Sequence, residues 1–261
     1  MKKRLSVILV LGMVLLLAAC GSGKSSGDSD LAYIKDKGTL VVGITDFEPM
    51  DYKDANGEWI GFDADMAKAF AASLGVKVEF IEIDWDNKIL ELNDKNIDCV
   101  WNGMTLTDEV LSSMDCSVPY CNNAQVVVVS SDLAESYQDK DSLNGLVFAV
   151  EAGSAGEDAV KELGNDYNAM LTQADALMEV AAGTSDACII DLLMAGAMIG
   201  EGTSYPNLSY TVELTTEEYG VGFRKGSDLA AVYNEFYAAA YADGTVFSIA
   251  EQYGVQESII G

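Results

Sequence analysis

The residues best placed for chemistry form a short polar stretch after an apolar run. The run extends from Ile97 to Trp101, and Trp101 to Val110 (WNGMTLTDEV) then offers an amide, a glycine and two hydroxyl groups. Such a cluster at the end of a strand is typical of an edge that faces a ligand, or of a simple turn. No basic residue lies in it, so it offers neutral hydrogen-bond donors and no salt bridge.

The composition gives little support to nucleophilic catalysis or to metal binding. The 261 residues contain no histidine, and four cysteines follow residue 20: Cys99, Cys116, Cys121 and Cys188. Their spacing matches no zinc pattern, and without histidine no Ser–His or Cys–His pair can form. Cys116 and Cys121 could close a small loop, although their proximity in sequence does not establish a disulfide. We therefore predict no catalytic residue, no metal and no cofactor.

Alternating strand and helix patterns must position the polar stretch. Buried-type strands such as Thr39 to Thr45 and Ala124 to Ser131 alternate with amphipathic helices, which predicts an α/β fold with mainly parallel sheets. The alternation forms two series, and a similar phrase, KNIDCVWNG or GTSDACIID, closes a helix-strand unit in each. Two series predict two lobes with a cleft between them. We place lobe 1 at 31–125 and 216–261, and lobe 2 at 126–215.

The first 30 residues predict export and a lipid anchor. A basic segment, Met1 to Arg4, precedes the apolar run Leu5 to Ala19, which is too short to span a bilayer but typical of a signal peptide over 1–19. Leu17 to Cys20 (LAAC) resembles a bacterial lipobox, so Cys20 is the predicted lipidated residue and 20–30 a flexible tether. An ordinary signal peptide with a chance cysteine is the alternative.

Net charge excludes two classes of partner. The chain has 15 Lys and Arg against 42 Asp and Glu, a formal charge of −27. Removal of residues 1–19 deletes three positive charges and leaves −30. Such a chain repels nucleic acid and anionic lipid head groups, so its attachment to a membrane must come from the lipid.

Several phrases together resemble a known family, the polar-amino-acid class of extracytoplasmic solute-binding proteins of ABC importers. They occur in the family's order from about Gly38 to about Gly254: LVVGIT-DFEPM, GEWIGFDADMAKAFAASLGVKVEFIEIDWD, KNIDCVWNGMTLTDE, VPY, VEAGSAGE, TSDACIID and YGVGFRKGSDL. The resemblance implies a two-lobed periplasmic-binding-protein fold with two crossing strands. It implies that the lobes close on one small solute and deliver it to a membrane permease. We expect a monomer.

In lobe 1 the resemblance assigns aromatic walls and strand-end donors. Phe47 and Trp85 occupy the family's aromatic positions, where a ring would stack on an aliphatic chain or a cation, and Trp101 could add a third wall. Phe47 and Trp101 could equally be core aromatics. The family's backbone and hydroxyl donors match a further group: Asn102, Gly103 and Thr105. Alternatively Thr105 or Thr107 caps the next helix, and we expect Thr107 to do so.

In lobe 2 the resemblance assigns a hydroxyl turn and an acid. Gly153 and Ser154 match a turn ahead of a helix, where backbone N–H groups favour an anion. Ala155 stands where the family often has a second hydroxyl. Asp191 matches the acid that pairs with the ligand's α-ammonium group, and the alternative is a cap on the following helix.

One departure from the family concerns the ligand. Val110 stands where members usually carry an arginine that forks onto the ligand's α-carboxylate, and the chain beyond residue 19 has a single arginine, Arg224, which the resemblance places outside the site. Two ligand classes follow. An amino acid could meet neutral donors, or an amine without a carboxylate could lie among Phe47, Trp85 and Asp191, helped by Asp46 or Glu151.

Other function classes have less support. The two-lobed fold is known to host a dehydratase of a cyclohexadienyl acid, but that chemistry needs a positioned proton donor and carboxylate clamps. This chain lacks histidine and an arginine in the pocket, so we predict no enzyme. An extracellular ligand-sensing module that acts with a separate receptor is the remaining alternative.

Overall fold

The computed structural model describes residues 29–261, and its strands form two five-stranded sheets. The first sheet contains, in spatial order, β4 (Lys77–Glu82), β1 (Thr39–Ile44), β5 (Cys99–Val100), β14 (Gly222–Phe223) and β6 (Asp115–Cys116). β1 pairs in parallel with β4 and β5, whereas β14 is antiparallel to both of its neighbours. This sheet forms the centre of lobe 1.

The second sheet has a similar plan. It contains, in spatial order, β10 (Tyr167–Met170), β9 (Phe148–Glu151), β11 (Ala187–Asp191), β8 (Gln125–Ser130) and β12 (Leu208–Glu213). β9 is parallel to β10 and β11, while β8 is antiparallel to β11 and β12. β8, β9 and β11 are almost completely buried, which explains their near-continuous runs of Val, Ile and Ala. This sheet forms the centre of lobe 2.

Helices pack on both sheets, as expected for alternating strands and helices. Those of lobe 1 are α1 (Asp30–Lys37), α2 (Phe62–Leu74), α3 (Lys88–Asn93), α4 (Asp108–Ser113), α8 (Leu229–Ala242) and α9 (Thr245–Tyr253). Those of lobe 2 are α5 (Ala155–Leu163), α6 (Gln173–Ala182) and α7 (Leu192–Met198). A hairpin of β2 (Tyr52–Lys53) and β3 (Trp59–Ile60) encloses the Asn56-Gly57 turn, with Gly57 at φ 83°.

A narrow antiparallel ribbon joins the two lobes. It consists of β7 (Cys121–Asn123) and β13 (Glu217–Tyr219), with Glu217 opposite Asn123. β7 leads into β8, and β12 returns the chain to β13 across residues 214–216. Two sheets joined by two crossings confirm the predicted two-lobed α/β fold.

The last two residues of the predicted tether belong to lobe 1. Ser29 caps α1 by accepting a hydrogen bond from the backbone N–H of Ala32, and Asp30 begins that helix. Asp30 is buried because it pairs with Arg224, whose Nε lies 3.0 Å from its carboxylate oxygen. Ser29 and Asp30 are therefore part of the folded lobe and not of a flexible tether. The predicted signal peptide and Cys20 lie outside the described residues.

Candidate functional site

A pocket lies between the lobes at the carboxyl ends of β5, β9 and β11. Parallel strands that end at one edge present their loops to a shared cleft, as the alternation predicted. Lobe 1 lines it with Trp85, Lys88, Asn102, Gly103, Met104, Thr105, Thr107, Glu109 and Val110. Lobe 2 lines it with Gln125, Glu151, Gly153, Ser154, Ala155, Asp158, Gln173 and Asp191.

Asp191 is the most heavily hydrogen-bonded group in this pocket. Four side chains donate to its carboxylate: Asn123, Gln125, Gln173 and Tyr219. Although Asp191 precedes α7, its side chain makes no capping hydrogen bond, so the helix-cap alternative is wrong. Burial, together with the neighbouring carboxylate of Glu217, raises the pKa of Asp191 to about 8. The structure thus holds an acid in place at the wall of the cleft.

Glu217 connects this acid to the ribbon between the lobes. Its carboxylate accepts hydrogen bonds from Thr105 Oγ1 at 2.9 Å, from Asn123 Nδ2 at 2.7 Å and from Gln125 Nε2 at 2.8 Å. Asn123 and Gln125 therefore donate to Glu217 and to Asp191 alike. Sequence analysis missed Glu217, because an acid in a crossing segment shows no periodicity that separates it from a solvated charge.

The polar stretch after β5 faces the cleft, but hydrogen bonds within lobe 1 already use many of its polar groups. Asn102 braces the end of β1, since its Oδ1 accepts from the backbone N–H of Thr45 and its Nδ2 donates to that threonine's hydroxyl, both at 2.9 Å. The N–H of Gly103 donates to Asp63 at 2.7 Å. Thr107 caps α4 through the N–H of Val110, which confirms its expected role. Val110 is buried against the pocket, so the missing arginine leaves an apolar wall there.

Ser154 lines the pocket from the first turn of α5. Its hydroxyl accepts a hydrogen bond from the N–H of Glu157, and the Glu157 carboxylate accepts one from the N–H of Gly153 at 2.9 Å. The positive end of α5 is therefore already complemented by an acid of the same chain. An anion at this turn would meet Glu157 as well as the N–H groups.

Of the three predicted aromatic walls, only Trp85 lines the pocket. Trp101 is 1% exposed and packs into the core of lobe 1, with its ring 5.0 Å from that of Tyr233. Phe47 is buried edge-on against Tyr219 and contacts Gly103 from behind the pocket wall. The structure therefore corrects the assignments of Phe47 and Trp101, because each ring fills the core of lobe 1. Trp85, in a short 3-10 turn before α3, stays at the cleft.

Lys88 is the lining residue that sequence analysis missed. It is 5% exposed, and its ammonium donates to the carbonyl of Trp85 at 3.3 Å and to the carbonyl of Gly153 at 2.8 Å. The second bond joins α3 of lobe 1 to lobe 2. Burial lowers the pKa of Lys88, and nearby acids, Glu109 first, oppose that shift. It is the only positively charged side chain among the described residues that line the pocket.

Other candidate groups lie away from the cleft or make no site. Arg224 is held in lobe 1 by Asp30 and by the carbonyls of Leu92 and Ile97. Cys116 and Cys121 are free thiols. Across residues 29–261, no group of three or more His, Cys, Asp and Glu residues is arranged to hold a metal ion. The same part of the chain has no helix that is long and apolar enough to cross a membrane.

Known proteins of similar sequence and structure share this architecture. The chain is 29% identical over 242 residues to the arginine-binding extracellular protein ArtP of Bacillus subtilis, which covers 90% of this chain and 91% of ArtP. A mutant of ArgBP from T. maritima has a TM-score of 0.81 at 31% identity, over 86% of this chain and 98% of that one. An ancestral amino acid-binding protein, a precursor of cyclohexadienyl dehydratase, has a TM-score of 0.79 at 34% identity, over 86% and 99%.

A family match covers most of the sequence. The family described as bacterial extracellular solute-binding proteins, family 3, matches residues 40–256, which include both sheets apart from Thr39 and every described residue of the cleft. The match agrees with the two-lobed fold and with the predicted resemblance. The protein therefore belongs to family 3 of the bacterial extracellular solute-binding proteins.

Proposed function

We propose that the protein captures an amino acid between its lobes and delivers it to the permease of an ABC importer, without catalysis. The observation that carries the proposal is a pair of opposite charges in one cleft. Asp191 of lobe 2 offers a carboxyl group that an α-ammonium group would hold in the ionised form, and Lys88 of lobe 1 offers an ammonium to an α-carboxylate. A zwitterion that contacts both would draw the lobes together, which is the property that a capture protein needs. The similar proteins named as arginine-binding and amino acid-binding support this ligand class.

Lys88 takes the place of the absent arginine in this proposal. An ammonium group has three N–H donors, and the carbonyls of Trp85 and Gly153 use two of them. The third is free for a ligand carboxylate, and the ammonium lies 5.0 Å from the centre of the Trp85 ring, which holds the side chain at the wall. Neutral donors of Thr105 and Ser154 are the proposed secondary contacts, and Asn102 and Gly103 the proposed frame behind them.

The experiment compares amino acids with the amines that lack their carboxylate. Protein refolded from denaturant, to remove any ligand carried from the cell, is titrated calorimetrically with each common amino acid and its decarboxylated amine. We expect an amino acid to bind roughly tenfold to a hundredfold more tightly than its amine, because a hydrogen bond between charged groups contributes about 1.5–3 kcal/mol. Lys88→Met should remove that difference, whereas Lys161→Met, outside the pocket, should preserve it.

Two outcomes would contradict the proposal. If an amine binds as tightly as its amino acid, the carboxylate is not recognised, and the ligand belongs to the alternative class, an amine held by Asp191 and Trp85. A protein that binds neither, while its circular dichroism and thermal transition show that it is folded, would not be an amino acid-binding protein.

The location of the protein follows from its family and from the lipobox. The family is extracellular, and we propose that Cys20 is acylated and attaches the chain to the outer face of the membrane through the segment before Ser29. We further propose a monomer whose lobes hinge at the β7–β13 ribbon. The lobes lie at 29–124 with 216–261 and at 125–215, which moves the predicted bounds of 31–125 and 126–215 by one or two residues. Palmitate labelling that depends on Cys20, and the mass from light scattering, check these two points.

A further inference from the structure

Glu151 is a buried carboxylate at the cleft that no protein group neutralises. It ends β9, lines the pocket and is 3% exposed. Its Oε1 atom has no hydrogen-bond partner, and no ion pair within 29–261 includes Glu151. Asp191, on the parallel strand next to it, accepts four hydrogen bonds from side chains. Two acids at one edge of the sheet thus differ sharply in the number of hydrogen bonds that the protein donates to them.

An unsatisfied buried carboxylate is costly, so its position calls for a partner. Burial raises the pKa of Glu151 to about 8, and the charge of Asp191 adds to the shift. Lys88 is near enough to lower the pKa, but its ammonium donates to two backbone carbonyls and forms no ion pair with Glu151. Thr45 and Gln173 also lower the pKa, through side-chain hydrogen bonding to Glu151, but both are neutral and supply no counter-charge.

The charges lining the pocket exceed what a simple zwitterion can balance. Four acids and one ammonium line it: Glu109, Glu151, Asp158 and Asp191, with Lys88. An amino acid that pairs its α-ammonium with Asp191 and its α-carboxylate with Lys88 adds no net charge. Glu151, whose raised pKa favours the protonated form, would then find no counter-charge in the ligand, whereas a ligand with a further positive group would supply one and allow Glu151 to ionise.

We propose that Glu151 is a specificity-determining residue that binds a second positive group of the ligand, so that the cleft selects dibasic amino acids with an ammonium or guanidinium group in the side chain. The inference rests on the proposed capture of an amino acid and adds its side-chain class. Trp85 would cover the aliphatic part of such a side chain, since its ring lies at the same pocket wall.

The test compares L-arginine with L-citrulline, which has nearly the same shape but a neutral ureido group. Calorimetric titration of the wild-type protein should show arginine binding at least roughly tenfold more tightly than citrulline. Glu151→Gln, which keeps the shape of the side chain and removes its charge, should abolish that ratio by weakening arginine while leaving citrulline unchanged. Glu162→Gln is the matched control, because Glu162 is an exposed acid of α5 outside the pocket, and its ratio should stay within about threefold of wild type.

The outcomes separate this inference from the proposed function. If arginine and citrulline bind equally well to the wild-type protein, or if Glu151→Gln keeps the wild-type ratio, the inference is overturned and amino acid capture stands. If neither these nor any other amino acid binds, the proposed function itself fails. If Glu151→Gln does not fold, Glu151→Asp decides: it keeps the charge but retracts it, so the ratio should fall without vanishing, and an unchanged ratio overturns the inference.

Discussion

Two groups of acids in this protein are similarly buried, but one lies within the core of lobe 1 and the other at the cleft between the lobes. In lobe 1, Asp51 and Asp63 are fully buried, and the carboxylate of Asp63 accepts from the N–H of Gly103 and from the hydroxyl of Tyr120, both at 2.7 Å. In the cleft, Glu151 and Asp191 are nearly as well buried. Burial raises the pKa of Asp63 to about 7 and the pKa values of both cleft acids to about 8.

The two groups differ in the structural change that would allow water or ligand to reach them. Asp63 lies in the first turn of α2 among core groups of one lobe, so only local unfolding exposes it. Glu151 and Asp191 lie where the lobes meet, and lobe opening would expose them without loss of either core. A perturbed pKa alone therefore does not mark a binding site in this protein. The position of the acid relative to the boundary between the two lobes is the feature that distinguishes the cleft acids.

The largest expected effect comes from removing one acid of each group. Asp191→Ala should weaken amino acid binding by at least roughly a hundredfold, since truncating one partner of a buried charge pair costs about 2–5 kcal/mol. Its effect on the unfolding free energy should be small, because water can reach the freed donors when the lobes open. Asp63→Ala should leave two core donors unpaired and lower the unfolding free energy by about 2–4 kcal/mol.

Calorimetric titration and urea unfolding of both variants give the comparison. The expected pattern is crossed: Asp191→Ala loses affinity and Asp63→Ala loses stability. A large loss of stability in Asp191→Ala, with affinity retained, would mean that Asp191 stabilises the fold, as Asp63 does, and does not bind the ligand.

A smaller effect should follow from blocking contact between the lobes. Gly153 has φ +70°, and a Cβ atom on it would lie 2.6 Å from Cα of Asp86 in the other lobe. Gly153→Ala should weaken ligand binding roughly tenfold to a hundredfold, because overpacking costs about 1–3 kcal/mol and falls on the closed arrangement. Gly164→Ala is the matched control, since Gly164 has φ +76° with no atom within 4 Å of its Cβ position.

The control separates backbone strain from the clash. Both variants should lose a similar amount of unfolding free energy, about 1–2 kcal/mol, because alanine is disfavoured at positive φ. Only Gly153→Ala should also lose affinity in calorimetric titration. Equal affinities in the two variants would mean that the lobes do not need the Gly153–Asp86 contact to hold a ligand.

The comparison also shows what the sequence could and could not reveal. The alternation of strands and helices predicted two sheets, and the family resemblance assigned Asp191, at the end of an apolar strand, to the cleft. The alternation is a local pattern, and the structure confirms the fold that it implies. The side chain of Trp101 illustrates the limit, because a large apolar residue at a strand end has the same local pattern whether it faces a core or a ligand.

Lys88 shows why long-range contacts escape such analysis. Within DNKILELNDKN it has the spacing of a solvated lysine on an amphipathic helix. It is buried because the carbonyl of Gly153, 65 residues away, receives its ammonium across the cleft. No periodicity within α3 encodes that contact. The position of this charge at the cleft therefore depends on a contact between the two lobes.

The smallest expected effect is a dependence of lobe opening on pH. The pKa values of Glu151 and Asp191 rise from ordinary values of 4.5 and 3.8 to about 8 in the closed cleft. The closed arrangement thus binds protons more tightly than a hydrated open one, so its stability is fully present at low pH and is lost as the pH rises through 8. Small-angle scattering of ligand-free protein should show the radius of gyration rising from about 17 Å as the pH increases from about 4 to about 8.

A double variant identifies the groups responsible for that rise. Glu151→Gln with Asp191→Asn lacks both titrating groups and should keep one radius across the range, while Asp63, which also titrates near pH 7, remains in place. Asp63 acts on unfolding, so its protonation should shift the thermal midpoint and leave the radius of the folded protein unchanged. If the double variant expands as the wild type does, the cleft acids do not control opening, and the distinction between the two groups of acids would rest on ligand binding alone.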